Sequence, residues 1–467
     1  AKATLPPLPP EPTPEQVNTA LAKAAAAQPA WGALPVEQRA KIIEKAADLI
    51  EANMTEFIGL IGLEAGRIIR NAVSEVREAV DLCRYYAMCA RTSLLPVPLQ
   101  GYTGERNELL AAPRGIVAAI SPWNFPLAIF TGQVVAPLVA GNAVMAKPAG
   151  QTPRIAKRAV ELLHQAGVPQ DVLAFLPGGG RTVGAQLIAD ERVAAVVFTG
   201  STEVGRSINQ QLANRNGPIV PLVAETGGLN AMIVDSTALP EQVTDDVLLS
   251  AFDSAGQRCS SLRVLFVQAD IADKVIHMIT GALEELRLGN PLDLATDIGP
   301  VIDANAKKEL EEHIARMRVE GKILYAGKAP EQGNFLAPHV VEIEHLGLLQ
   351  REAFGPILHI IRWERDELDA VIESIAKSGY GLTAGIHSRR EGFVRDITSR
   401  LPVGNIYVNR NIVGAIPGVQ PFGGEGLSGT GPKAGGPHYV QRFTVERVVT
   451  TDTTAAGGNA SLLMLGD

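Results

Sequence analysis

Short apolar runs at Gly115–Ile120, Ala143–Lys147, Val172–Leu176 and Val193–Phe198 alternate with helical patterns, and this repetition constrains the fold more than any other feature. Runs this short and rich in valine, isoleucine and alanine read as strands buried on both faces. Strand–helix–strand alternation then gives a parallel, doubly wound sheet. The helix after the second run has legible ends. Thr152-Pro153 supplies a cap and a first-turn proline, and Gly167 closes it. Ahead of the first strand, Pro35 to about Leu95 carries Ile42, Ile43, Leu49 and Ile50 on a helical period. A second α/β region runs from near Gly228 to about Gly424, and Gly101–Pro113 and His438–Thr450 read as strand-rich excursions.

With 467 residues the chain is too long for one core and suits two or three domains. A net charge of −8 argues against a nucleic-acid partner, because phosphate binding needs clustered lysine and arginine. The most apolar stretch, Leu127–Val144, is interrupted by Gln133, Pro137 and Gly141. A membrane span needs about 20 mostly apolar residues, so this stretch reads as a buried helix and no membrane association is expected. No secretory signal opens the chain. Residues 1–14 read as a proline-rich linker, and the missing initiator methionine points to an excised domain. The three cysteines, Cys83, Cys89 and Cys259, make no disulfide or metal framework and suit the reducing cytoplasm. Cys83 and Cys89 fall in a helical pattern and read as buried filler. The eight histidines are scattered, so no metal site is expected.

Glycine clusters follow two of the strands. In Pro177–Gly184, PGGGRTVG, the spacing is not that of a dinucleotide fingerprint, and in Gly200–Gly205, GSTEVG, the lysine of a phosphate loop is absent. Each alone fits an ordinary turn. Together, after strands of one sheet, they lie where a dinucleotide binds. Cys259 stands in GQRCSSLR, beside Arg258, whose charge would favour the thiolate. Glu225 in ETGG, next to two glycines, suits a mobile general base. Asn124 in SPWNFP, between prolines, suits an oxyanion donor.

The blocks SPWNFP, AKP, FTGSTEVG, ETGG, GQRCS, REAFGP and PFGG stand in the order and approximate spacing of the aldehyde dehydrogenase superfamily, which the chain resembles from about residue 15 to 450. More narrowly, EVREAVDLCRYYA, SAGQRCSSLRVL, TDIGPVID, NIYVNRN and QPFGGEGLSGTGPKAGGP resemble the pyrroline-5-carboxylate dehydrogenase half of the bifunctional proline utilisation A enzymes. No flavin-dependent proline dehydrogenase half is present, which fits a piece taken from such a chain.

The resemblance implies an α/β fold: a Rossmann-type dinucleotide-binding domain (1–94 and 114–226), an α/β catalytic domain (227–426), an oligomerisation β-flap (95–113 and 438–456) and a tail (457–467). It implies Cys259 as nucleophile, Glu225 as base, and Asn124 with the Cys259 N–H as oxyanion hole. Cofactor contacts carry over to Ile120, Ser121, Trp123, Lys147, Gly150, Gly180, Gly184, Gly200, Ser201, Glu352 and Phe354. Substrate contacts carry over to Ser260, the Gly414-Ala415 loop and Phe422. The cofactor is NAD, with NADP admitted because Gly150 replaces the family's usual glutamate. Pro417 likewise replaces a valine, removing an N–H from the anchor loop. The expected partner is a small-molecule substrate, in a homo-oligomer, a dimer.

The implied reaction oxidises L-glutamate γ-semialdehyde, formed from pyrroline-5-carboxylate, to L-glutamate through a cysteine thioester. A succinate semialdehyde dehydrogenase would expect a cation in the anchor loop, and GAIPG has none. A non-catalytic dinucleotide scaffold would not need Cys259, Glu225 and Asn124. A cofactor-free cysteine hydrolase would not need Lys147 and Glu352.

Overall fold

A computed structural model describes residues 5–453; residues 1–4 and the tail, including 457–467, lie outside the described residues. The chain opens with α1 (Pro14–Ala33), started by a reciprocal cap between Thr13 and Gln16. Next come α2 (Val36–Ala52), α3 (Met54–Ala65) and α4 (Ile69–Ser93), so the helical pattern from Pro35 is three helices. Two strands follow, β1 (Val97–Leu99) and β2 (Glu105–Pro113).

The first sheet is built from β3 (Ile116–Ile120), α5 (Ala128–Val139), β4 (Ala143–Lys147), α6 (Pro153–Ala166), β5 (Leu173–Phe175), α7 (Ala185–Ala189), β6 (Val193–Thr199), α8 (Thr202–Ala213) and β7 (Leu222–Glu225). Its order is β5-β4-β3-β6-β7, all parallel. Every residue of β3 and β4 is buried, as the near-continuous apolar runs require. The apolar stretch from Leu127 is α5 followed by a turn into β4. The strand expected over Val172–Leu176 is shorter, Leu173–Phe175. Thr152 does precede α6, but its hydroxyl makes no capping bond.

The second sheet takes β8 (Ala231–Val234), α9 (Pro240–Phe252), β9 (Val264–Gln268), α10 (Ala269–Glu284), α11 (Ala304–Glu320), β10 (Lys322–Ala326), β11 (His339–Glu342), β12 (Ile357–Trp363), α12 (Leu368–Lys377), β13 (Tyr380–Gly381), β14 (Thr383–His387), α13 (Glu391–Arg400) and β15 (Asn405–Val408). Its order is β10-β11-β12-β9-β8-β14-β15. β13 instead pairs with β16 (Glu425–Gly426). Each large sheet has its own apolar core, one drawn from Val17 to Ala224 and the other from Leu229 to Ile412.

β17 (Thr444–Asp452) pairs antiparallel with β2, giving a third sheet, β1-β2-β17. The strand-rich reading of His438–Thr450 holds only from Thr444. Val440–Phe443 is a short 3-10 turn whose Val440 and Phe443, with Tyr439, enter the first core. Among the described residues no helix is long and apolar enough to cross a membrane. Cys83 and Cys89 are free thiols buried in α4.

Candidate active site

Cys259 follows a backbone that ordinary side chains avoid. Ser254, Ala255 and Gly256 are all left-handed, with φ of 56°, 54° and 66°, a conformation that costs side-chain-bearing residues energy. At Gly256 a Cβ would lie 2.2 Å from the Gly355 carbonyl oxygen, so only glycine fits. This sharp turn lifts Cys259 out of α9's line and leaves it half-buried.

The turn is held by buried polar groups. Arg263, fully buried at the start of β9, donates to the carbonyls of Gly256 (2.7 Å) and Arg258 (3.0 Å). Asn230 donates to the carbonyls of Cys259 (2.6 Å) and Ser261 (2.9 Å). Neither residue is singled out by sequence. The five-residue spacing of two arginines in GQRCSSLR is the only signal that Arg263 offers.

Cys259 belongs to two cavities at once. One, of about 580 Å³, is lined by Trp123, Asn124, Gly200, Ser201, Glu352 and Phe354, with Thr226, Gly227 and residues of α11. The other, of about 680 Å³, is lined by Glu225, Ser260, Gly414, Ala415, Pro417 and Phe422. Thus all the expected catalytic and substrate residues meet around the thiol, and five of the expected cofactor residues line the first cavity. Ile120, Ser121, Lys147, Gly150, Gly180 and Gly184 do not line it. Ile120 and Lys147 are register partners on β3 and β4, and Ser121 N–H donates to the Lys147 carbonyl. Gly150 and Gly180 are exposed.

In the first cavity, Trp123 and Phe354 meet edge to face, their ring centroids 5.5 Å apart. Ser201 caps α8, accepting the Val204 N–H at 3.3 Å, so the open end of α8 faces the cavity with its remaining amides. Glu352 is gripped by Arg263 (2.8 Å) and accepts the Gly228 N–H (3.3 Å). A Cβ at Gly227 would lie 1.8 Å from Glu352 Oε2, which explains the glycine beside that carboxylate. The donor set suits a dinucleotide: helix-end amides for phosphate, the half-buried Glu352 carboxylate for hydroxyls, aromatic edges for a ring.

Asn124 Nδ2 donates to the Gln257 carbonyl at 3.2 Å, and Arg67 holds the Asn124 carbonyl. Glu225 ends β7, buried, with Oε2 accepting the Gly424 N–H at 3.2 Å and Oε1 without a partner. Burial pushes its carboxyl up to about 8, against the pull of the Gly424 N–H and Lys433. Burial, then the carboxylates of Glu352 and Glu225, push the Cys259 thiol up to about 12. The expectation that Arg258 favours the thiolate fails. Its guanidinium is spent on Asp253 at 2.5 Å and on Asn71 at 3.1 Å, so its charge is neutralised locally.

The second cavity also brings in Arg67 and, from the EVREAVDLCRYYA block, Glu75 and Glu78, to which the motifs assigned no role. Arg67 pairs with Glu75 at 3.2 Å and stacks on Phe125, 4.1 Å from ring centre. Glu78, half-buried, has its carboxyl raised to about 7, by burial first and then by Glu75. Glu75, Glu78 and Asp81 recur at helical spacing along α4 and line this cavity with the thiol.

A half-buried thiol is shared by a cleft whose donors suit a dinucleotide and by a separate cavity, with the buried carboxylate of Glu225 in the second. Residues 9–449 match the aldehyde dehydrogenase family, and the chain belongs to it. It is 51% identical over 448 residues to the bifunctional protein PutA of Escherichia coli (strain K12), covering 94% of this chain and 33% of that protein. The chain therefore spans about a third of the length of that relative. A crystal structure of bifunctional proline utilization A (PutA) superposes with a TM-score of 0.95 at 56% identity, over 96% of this chain and 46% of the other. A 1-pyrroline-5-carboxylate dehydrogenase from Thermus, solved with bound NAD, gives 0.91 at 35% identity, over 95% and 86%.

Proposed function

We propose that this chain oxidises L-glutamate γ-semialdehyde, the opened form of 1-pyrroline-5-carboxylate, to L-glutamate with NAD. The observation that carries the reading is the position of Cys259, common to the cofactor cleft and to a cavity ending in Ser260 and the Gly414-Ala415 loop. The likeness to the Thermus dehydrogenase with bound NAD supports both the substrate class and the cofactor. The second cavity carries the carboxyls Glu75, Glu78, Asp81, Glu225 and Asp253 against Arg67, Arg70, Arg77 and Arg258. That balance suits a substrate bearing an ammonium group better than one with a carboxylate alone, such as succinate semialdehyde.

The chemistry follows from the residues. The Cys259 sulfur attacks the aldehyde carbon once its proton has passed to a base, since the thiol is protonated at neutral pH in the free site. The Asn124 amide and the Cys259 N–H face the oxygen that gains charge, the arrangement that stabilises an alkoxide. When bound, NAD supplies a hydride acceptor. Phe354 and Trp123 line the cleft that would hold the nicotinamide, and the Glu352 carboxylate would accept hydroxyls of a ribose there. A thioester on Cys259 remains, and Glu225 takes a proton from the water that hydrolyses it. Exposed Val448 and Val449 on β17 support a homodimer formed through the three-stranded sheet.

Steady-state rates with pyrroline-5-carboxylate, succinate semialdehyde and propanal, each with NAD and NADP, test the reading. The expected result is a kcat/KM for pyrroline-5-carboxylate with NAD that exceeds every other pair. A higher value for succinate semialdehyde overturns it.

A further inference from the structure

Glu11 does not behave as part of a free linker. It lies against the glycine turn between β5 and α7. Its carboxylate accepts the Thr182 hydroxyl, and a Cβ on Gly178 would come within 2.9 Å of its side chain. Neighbouring contacts fix the segment: Arg154 of α6 donates to the Pro6 carbonyl, and Gln186 of α7 to the Pro14 carbonyl at 2.9 Å. On the other flank of the same turn Gly184 packs on the Lys147 stem, 3.5 Å separating a Cβ there from Lys147 Cε. Burial lowers the Lys147 ammonium to about 8, and the Glu11 charge works against that fall.

The order β5-β4-β3-β6-β7 steps outward on both sides of a first strand, the doubly wound dinucleotide arrangement. In that arrangement an acidic residue at the end of the second strand holds the adenine ribose hydroxyls, and its charge opposes a 2′-phosphate. Here the second strand, β4, ends in Lys147. Beyond it Gly150 is exposed, and a Cβ there would meet nothing within 4 Å. The acid is missing from the strand end, while a carboxylate arrives from the N-terminal segment on the turn whose other flank packs on Lys147.

We propose that Glu11 is a cofactor-specificity residue, its carboxylate held by Thr182 over the Gly178–Gly184 turn beside Lys147, where it disfavours a 2′-phosphate. This rests on the reading that NAD binds with its adenine ribose at the end of β4. Glu11 is exposed, so the effect should be about three- to fivefold, the range exposed charge pairs support, and should shrink with salt.

Calorimetric titration of the full chain with NAD and with NADP, without substrate, tests it. Glu11→Gln should tighten NADP relative to NAD about three- to fivefold, and Thr182→Val should move the ratio the same way by less. Both residues are exposed, so the Tm without cofactor should stay put. If Glu11→Gln leaves the ratio unchanged while Gly150→Glu still favours NAD, Glu11 has no such role and the ribose site stands. If Gly150→Glu and Lys147→Ala also change neither constant, the ribose lies elsewhere and both readings fall.

Discussion

The Arg263 guanidinium grips the Glu352 carboxylate at 2.8 Å while donating to the carbonyls of Gly256, the last residue of the strained turn, and of Arg258, next to Cys259. One buried cation therefore sets both the nucleophile's loop and a carboxylate of the cofactor cleft. Removing one partner of a buried pair leaves the other uncompensated and typically costs about 3–5 kcal/mol. Arg263→Met should lower stability by about that amount, read as a lower urea midpoint at unchanged m-value. Glu352→Gln in the same chain should recover part of the loss. A midpoint within error of the parent would show that the pair contributes nothing net.

Cys259→Ala should abolish aldehyde oxidation and leave NAD binding nearly intact. The other cysteines are buried in α4 and line neither of the two cavities that share Cys259. Turnover above a trace in the mutant, at matched NAD affinity, would refute the thioester route.

Glu225→Gln should keep the hydride step and slow thioester release. The expected trace is a burst of NADH followed by slow turnover. The native carboxyl titrates near 8, above its ordinary 4.5, because burial favours the neutral form. Only the carboxylate accepts a proton from water, so the hydrolysis rate of the parent should climb as pH rises through about 8 and level off above it. For stability the sign is opposite. The folded state holds this proton longer than the unfolded chain, so the stabilisation is complete below 4.5 and is lost as pH rises towards about 8. A flat single-turnover hydrolysis rate from about two pH units below that value to about one unit above it would contradict the assignment.

The parallel sheet was legible because β3, β4 and β6 are buried on both faces, which leaves continuous apolar runs with no alternation to confuse. The thiol's neighbours were legible because Trp123, Glu352, Phe354 and Ser260 sit within compact motifs. What escaped depends on contacts between distant positions. Arg258 looked like an activator of Cys259, yet the left-handed turn at Ser254–Gly256 folds it back onto Asp253. Lys147 ends β4, and Gly180 and Gly184 lie in the turn between β5 and α7, where the N-terminal segment packs; none of the three lines the cleft. Glu11 itself is 171 positions from Thr182, a separation across which no periodicity speaks.

Position 150 offers the sharpest test of where the adenine ribose lies. A Cβ there meets nothing within 4 Å, so glutamate can enter without displacing its neighbours. It would add a carboxylate beyond the end of β4, near Lys147, whose ammonium is depressed to about 8 by burial. At an effective dielectric near 20, unit charges about 5 Å apart repel by roughly 3 kcal/mol before screening and relaxation. The site is exposed, so about a third of that is the reasonable expectation. Since about 1.4 kcal/mol is tenfold, Gly150→Glu should raise the NAD-to-NADP ratio of kcat/KM roughly fivefold, mostly through a higher KM for NADP. The shift should shrink at high salt, as an exposed charge effect must. Parallel kinetics for both cofactors decide it: a ratio that does not move means that position 150 does not face the ribose.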